Sequence, residues 1–349
     1  MRAALLYGTR DLRVEEVSAA GPGPGEALIR IHACGVCPSD LRGYLGVRPR
    51  DGSYTPGHEW AGVVESVGGA DRMADGGREV KGRSDSVRVG DRVVADWRGV
   101  CGTCYQCRRG VFNYCERMRR SVRGGFAQYG VAPIAQLRVL PDNVSFEEAS
   151  FCEPLACITN AHSYTEIPLG GDVVVVGAGP IGLLHLQVAR SRGGRVIVSD
   201  PIAARLRTAT ELGAHDVVDA SQCDPIERVR ELTGGRGADT VIVAVGGAEP
   251  IRQGLEMAGI GGWVNLFAGT YPSVDMPMDP NLIHYRQLRV TGSHDYTPHH
   301  FTTALRLIQY GMVRVEPLIS HRFGLDEIRV AFDTTAERRG LKSMVLPNE

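Results

Sequence analysis

Residues Val173–Leu184 read VVVVGAGPIGLL: four valines, then Gly177, Gly179 and Gly182 in a G-x-G-x-x-G spacing, then an apolar stretch. A short buried strand running straight into a helix is the opening unit of a doubly wound parallel sheet. The first glycine permits the turn, the second lets backbone approach a pyrophosphate, and the third lets helix pack on strand. Pro180 and Ile181 open the helix, and the free N–H groups of its first turn, from Ile181 onward, would face the phosphates. In a chain with 44 glycines the same spacing also fits a tight turn with no ligand. The next strand, RVIVSD, narrows the choice. It ends in Asp200, about 20 residues on, where a carboxylate takes the adenosine ribose hydroxyls and repels a 2′-phosphate. NAD is therefore expected over NADP, with Arg205 and Val245 completing the cofactor contacts.

Working outward, apolar strands and helical segments alternate from DVVVVGA to GWVNLFAG, as a parallel sheet requires. The first 140 residues are different. EALIRIHACG, EWAGVVESVG and GGFAQYGVAP are β-rich runs bounded by Gly and Pro. SFEEASFCEPLACITNAHSY then reads as one helix, opened by a serine with Glu147 and Glu148 in its first turn. The predicted organisation is an α/β chain of two domains: a β-rich one over 1–155 and 290–349, and a dinucleotide-binding one over 156–289. The polar segment 68–86 is expected as a solvated insertion.

Composition excludes several classes. The 349 residues carry 39 Lys+Arg against 40 Asp+Glu, a formal charge of -1, which courts neither nucleic acid nor an acidic membrane. No run is apolar enough for a signal-peptide core or a spanning helix. A cytoplasmic, reducing compartment is expected, where clustered cysteines more often hold metal than form disulfides.

Two clusters carry that expectation. CGTCYQCRRGVFNYC places Cys101, Cys104, Cys107 and Cys115 in a C-x2-C-x2-C-x7-C spacing. Four thiolates suit a closed tetrahedral zinc lobe, about 97–118, that stabilises a loop and leaves no position for substrate. Buried free thiols and an iron–sulfur cluster are the alternatives. CGVCPSD (Cys34–Asp40) and PGHEWAG (Pro56–Gly62) supply Cys37, His58 and Glu59, donors suited to zinc with a position left open.

These motifs, with VGDRVV, GGFAQY, CEPLAC and LKSMVL in that order, resemble the zinc-dependent medium-chain alcohol/polyol dehydrogenases along essentially the whole chain, in the sorbitol/threonine dehydrogenase-like branch. The resemblance implies a GroES-like catalytic domain split around a Rossmann domain, two zinc ions per chain, and an active site in the cleft between domains. A homodimer or homotetramer is expected by the same analogy. Cys37 and His58 would bind catalytic zinc, with Glu59 ligating or close by. Glu153, in the E-P sequence of CEPLAC, matches the polyol branch's third ligand, and Cys157, one helical turn on, is the competing donor. Ser39 resembles the family's proton relay and Asp40 the carboxylate that orients His58. Arg42 stands where some members carry a proton-passing histidine, and Pro38 replaces a small residue. The substrate would be a polyol, sugar or cyclitol. A zinc-free quinone or enoyl reductase of the same fold and a non-enzymatic zinc-ribbon protein are the competing readings.

The substrate segment departs from the pattern. In GSHDYTPHHF, Asp295-Tyr296 replaces the Arg-Tyr pair of similar polyol dehydrogenases, turning donors into acceptors. Asp295 would then prefer a cationic group, such as the amine of an aminocyclitol like 2-deoxy-scyllo-inosamine. The alternative is that Asp295 caps the helix beginning near Thr297, or simply faces water.

Overall fold

The computed structural model describes residues 1–48, 51–69, 87–119, 122 and 124–349. Positions 70–86 of the expected insertion lie outside the described residues. The chain divides into two compact units, Met1–Glu153 with Leu318–Glu349, and Pro154–Pro317.

In the first unit, β1 (Arg2–Gly8) and β2 (Asp11–Glu16) form an antiparallel hairpin. β3 (Glu26–Gly35) is the axis of the larger sheet, with β4 (Glu59–Val67), β5 (Arg92–Ala95), β6 (Tyr129–Pro133) and β7 (Leu137–Val139) arranged around it. Its sequence alternates, so Ala27, Ile29, Ile31 and Ala33 all point into a core built on Trp60, Phe126 and Phe332. β3 pairs antiparallel with β4 in a register that sets Gly35 opposite Glu59 and Cys34 opposite Trp60.

The run expected as one helix is two, Phe146–Ala149 and Cys152–Ala161. Ser145 caps the first: its Oγ accepts from the Glu148 N–H while the Glu148 carboxylate accepts from the Ser145 N–H. Pro154 has no N–H to donate to the carbonyl of residue 150, so it is tolerated only in the first turn of a fresh helix. Glu153 therefore sits at that helix's start.

The second unit is a six-stranded parallel sheet: β8 (Asp172–Val176), β9 (Arg195–Asp200), β10 (Asp216–Asp219), β11 (Ala238–Val243), β12 (Ala258–Leu266) and β13 (Arg289–Gly292). Their order is β10-β9-β8-β11-β12-β13, the doubly wound arrangement, with the chain reversing direction across the sheet between β8 and β11. Every residue of β8 is buried, which is why that strand reads as an unbroken apolar run after Asp172. The sequence reading ended this unit at 289. In the structure Arg289–Gly292 is the sixth strand, paired parallel to β12, and its mixed pattern is that of a sheet edge with one open side. The unit continues through the helix Pro298–Gln309 to Pro317. The chain then returns to the first unit as β14 (Ile319–Gly324) and β15 (Lys342–Leu346), and β15 pairs with β3 so that Met344 faces Gly35.

Two histidines are locked inside the second unit. His162 Nε2 and His185 Nδ1 lie 3.1 Å apart, and His185 packs edge-on against Phe267. Burial pushes His162 down to about 3 and His185 well below its ordinary range, so both stay neutral. Unfolded, both imidazoles titrate near pH 6.5, so below that value the unfolded chain binds more protons than the folded one. Their contribution to stability is full above about pH 6.5 and falls as pH drops, by up to about 1.4 kcal/mol per histidine per pH unit. Urea unfolding at about pH 7 and about pH 5 should show this loss in the wild type and a shallower one in an H162N/H185N variant. Equal slopes would mean that the pair is not its source.

Candidate functional site

Cys37 leaves the end of β3 and caps the short helix Pro38–Tyr44, with Pro38 at the first helical position, where its missing N–H costs nothing. The buried carboxylate of Asp40 gathers the surrounding backbone. Its Oδ2 accepts from the Cys37 N–H at 3.1 Å, and its Oδ1 accepts from the Gly57 N–H at 3.4 Å and faces His58 Nδ1 at 3.4 Å. One side chain thus ties CGVCPSD to PGHEWAG. The Ser39 hydroxyl donates to Cys37 Sγ at 3.2 Å.

Donor atoms of Cys37, His58 and Glu59 all lie within 4.8 Å of one another. Burial pulls His58 down, but Asp40 and Cys37 together outweigh it, and the imidazole sits well above its usual range. The pocket as built favours positive charge at its centre. Burial drives Glu59 up, opposed by Lys342 of β15, whose ammonium donates to Glu59 Oε2. Both side chains are almost fully buried, 1% exposed for Glu59 and 7% for Lys342. Gly35 makes the room: a Cβ there would fall 2.3 Å from Glu59 Oε2 and 2.7 Å from Lys342 Cε.

Glu153 stands outside that trio. Its Oε1 accepts from Trp97 Nε1 at 3.0 Å, and the Trp97 ring packs on His58 with centroids 5.6 Å apart. Sequence reasoning missed both Trp97 and Lys342. A lysine inside the apolar run LKSMVL was a signal for a buried partner. Trp97 gave no spacing signal.

The four-cysteine lobe closes on itself. All four sulfurs lie within 4.8 Å of one another, with Cys101–Cys107 and Cys104–Cys115 each at 4.0 Å. A tetrahedron of sulfurs about 2.3 Å from zinc has edges of about 3.8 Å, so the spacing fits. Backbone N–H groups of Thr103 and Cys104 point at Cys101 Sγ, and they hold its thiol down at about 5, ready as thiolate.

In the second unit, the ends of β8, β9 and β11 bring Gly177, Gly179, Asp200 and Val245 together. A Cβ on Gly182 would fall 1.8 Å from the Gly177 carbonyl oxygen, and one on Gly177 would press on Val245 at 3.2 Å. At Gly179, which caps the helix Pro180–Ser191, a Cβ would meet nothing within 4 Å. That open face at a helix N-terminus fits a pyrophosphate. Asp200 Oδ2 accepts from the Ala178 N–H at 2.7 Å and Oδ1 from the Ile202 N–H at 2.8 Å. Arg205 follows on the helix Ala203–Glu211.

The Asp295 side chain is 4% exposed, on a backbone in the left-handed region at φ 64. Its Oδ1 accepts from the Tyr296 N–H, and its carbonyl accepts from Asn160 Nδ2. It does not cap the following helix: Thr297 does, in a reciprocal pair with His300. Tyr296 is buried against Phe301.

Residues 23–142 match the alcohol dehydrogenase GroES-like domain family, and residues 180–310 match the zinc-binding dehydrogenase family. The chain is 32% identical to a sorbitol dehydrogenase of Halalkalibacterium halodurans, covering 98% of this chain and 97% of that protein. It is 34% identical to an L-threonine 3-dehydrogenase of Pyrococcus furiosus, over 91% of this chain and 90% of that one. A zinc-binding dehydrogenase of Sinorhizobium meliloti, solved bound to NADP, superposes with a TM-score of 0.89 at 32% identity and 99% coverage of both chains. The chain belongs to the zinc-dependent medium-chain polyol dehydrogenases. The expected architecture, a GroES-like domain and a Rossmann sheet, is borne out with it, and the protein is an oxidoreductase acting on CH–OH groups. No described helix is long and apolar enough to cross a membrane.

For this dehydrogenase the closed lobe predicts a division of labour. Cys104→Ser should release one zinc per chain and cost on the order of several kcal/mol of stability, because metal binding and folding of the lobe are one equilibrium. Metal analysis with thermal unfolding checks it. A fully stable variant that had selectively lost hydride transfer would contradict a structural role.

Proposed function

We propose that the enzyme uses NAD and two zinc ions per chain to move a hydride between the cofactor and a secondary hydroxyl or ketone of a polyol, sugar or cyclitol. What carries this reading is the pairing of a mixed Cys37/His58/carboxylate donor set, braced by Asp40, with a glycine turn whose open face accepts a pyrophosphate. Cys37, His58 and Glu153 would hold the catalytic ion, with Glu59 adjacent and its charge offset by Lys342. Bound there, zinc supplies a Lewis acid for the substrate oxygen. Asp40 fixes the His58 ring by taking its Nδ1 side. Ser39, whose single O–H donates to Cys37 before substrate enters, would accept the alcohol proton on a lone pair and release its own O–H proton towards the nicotinamide ribose and water, giving up the Cys37 bond as it does so. The second ion belongs to Cys101, Cys104, Cys107 and Cys115.

Asp200 supports NAD over NADP: a carboxylate at that strand end repels a 2′-phosphate. The sorbitol dehydrogenase relative supports a polyol. Asp295 points further, to a substrate bearing an amine, such as an aminocyclitol. A buried acidic acceptor favours a cationic donor, and a charge-assisted bond of about 1.5–3 kcal/mol gives a tenfold to hundredfold preference. The exposed edge strand β13 supports a homo-oligomer, and nine free thiols suit a cytoplasmic enzyme.

NAD reduction screened over polyols, sugars, aminocyclitols and simple alcohols, with zinc counted per chain, tests the reading. Cys37→Ala or His58→Ala should bring turnover to background while NADH still binds. Normal turnover in either would remove the mechanism. Asp200→Ala should weaken NAD binding by roughly tenfold or more and relax discrimination against NADP. For the substrate, Asp295→Asn should lose the preference for amino over matched hydroxy substrates. An unchanged ratio would assign Asp295 to the fold alone.

A further inference from the structure

Trp97 touches two members of the proposed ligand set from one side. Its Nε1–H donates to Glu153 Oε1 at 3.0 Å, and its ring lies against the His58 imidazole, tilted 60° at 5.6 Å. The indole is itself held. The Arg98 guanidinium covers its face at 4.4 Å, and that guanidinium reaches into the four-cysteine lobe, donating to the Asn113 carbonyl between Cys107 and Cys115 and lying 3.8 Å from Met118 Sδ. The backbone around it is pinned: Asp96 and Gln136 exchange bonds, and the Arg98 N–H donates to Asp96 Oδ1.

We propose that Trp97 is a positioning residue for Glu153. The indole N–H takes one lone pair of Oε1 and fixes the carboxylate plane, so Oε2 becomes the favoured donor, in an orientation set by a rigid ring rather than by a flexible glutamate stem. A free carboxylate can rotate and bind in one- or two-oxygen modes. One hydrogen bond from a packed indole removes that freedom and leaves a coordination position for substrate. The same ring limits tilting of His58. Because Arg98 clamps the indole from the lobe side, the four-cysteine lobe also steadies the catalytic donor set, through two adjacent residues of the chain.

This inference rests on Glu153 being a zinc ligand, and the experiment separates the two claims. Holoenzyme variants Trp97→Phe, Glu153→Gln and the double variant are compared by chelator competition for catalytic-site zinc and by the visible spectrum after cobalt substitution. Trp97→Leu, which also lacks the donor, runs in parallel in case Trp97→Phe does not fold. Trp97→Phe should weaken zinc retention about tenfold and shift the cobalt bands, with the lobe metal unaffected. The double variant should be no weaker than Glu153→Gln alone, because the N–H acts through that carboxylate. If Glu153→Gln loses metal while both Trp97 variants retain wild-type affinity and spectrum, Glu153 is a ligand and the positioning role is overturned. If Glu153→Gln itself retains both, the ligand assignment fails and the positioning role falls with it.

Discussion

A single buried carboxylate organises the reactive half of this molecule. Asp40 takes the backbone N–H of Cys37 and of Gly57 and faces the ring of His58. Cys37 follows β3 and His58 precedes β4, so without that tie the two donors would belong to separate loops. The sheet does the rest. The β3–β4 register sets Gly35 against Glu59, and the β3–β15 register sets Gly35 against Met344, two residues from Lys342. Three strands therefore deliver an acid, a base and a gap at one point. The gap is a missing side chain: any Cβ at position 35 would displace the Glu59–Lys342 pair.

The two candidate metal sites solve opposite problems. The lobe is local, four sulfurs within fifteen residues; adjacent backbone N–H groups stabilise the Cys101 thiolate, while burial pushes the Cys107 thiol up to about 12. A closed sulfur tetrahedron needs nothing from the remainder of the fold except attachment. The proposed catalytic donors come from the turn after β3, the start of β4 and the start of the helix Cys152–Ala161, and each has its own support. Asp40 supports His58, Lys342 offsets Glu59, and Trp97 holds Glu153. Removing one partner of the buried Glu59–Lys342 pair would strand a charge in low dielectric, which is far more costly than the pair is stabilising.

That difference explains what the sequence could reveal. Spacing exposes donors that share one motif, so the grouping of Cys101, Cys104, Cys107 and Cys115 and the glycine turn were legible from the chain alone, whereas the pairing of Cys37 with His58 was expected only from the resemblance. The doubly wound sheet was legible for a similar reason, since buried parallel strands print unbroken apolar runs. Trp97 and Lys342 were not legible as partners, because their contacts depend on strand register between segments far apart in sequence. The single helix expected over SFEEASFCEPLACITNAHSY failed on Pro154, whose effect on a hydrogen bond four residues back outweighs continuous helical periodicity. At β13 the mixed pattern of an edge strand looked like a change of domain. The helix start at Thr297 was placed well, but its cap is Thr297 with His300, and Asp295 is turned inward instead.

The cofactor half repeats the device of the metal half. Asp200 ends β9 and accepts the N–H of Ala178, inside the glycine turn after β8, while its second oxygen accepts from Ile202. As with Asp40, a strand-end carboxylate fixes a neighbouring loop through main-chain donors. Each carboxylate oxygen has a second lone pair, so these bonds orient Asp200 without exhausting it. A ribose diol approaching this strand end meets an acceptor whose rotamer is already set, which lowers the entropy lost on binding. Asp200 thus shapes the glycine turn, and in the proposed cofactor role it would serve recognition through the same carboxylate. A substitution that removes the carboxylate leaves the Ala178 N–H without its partner, so it must loosen the glycine turn itself and not only the proposed ribose contact.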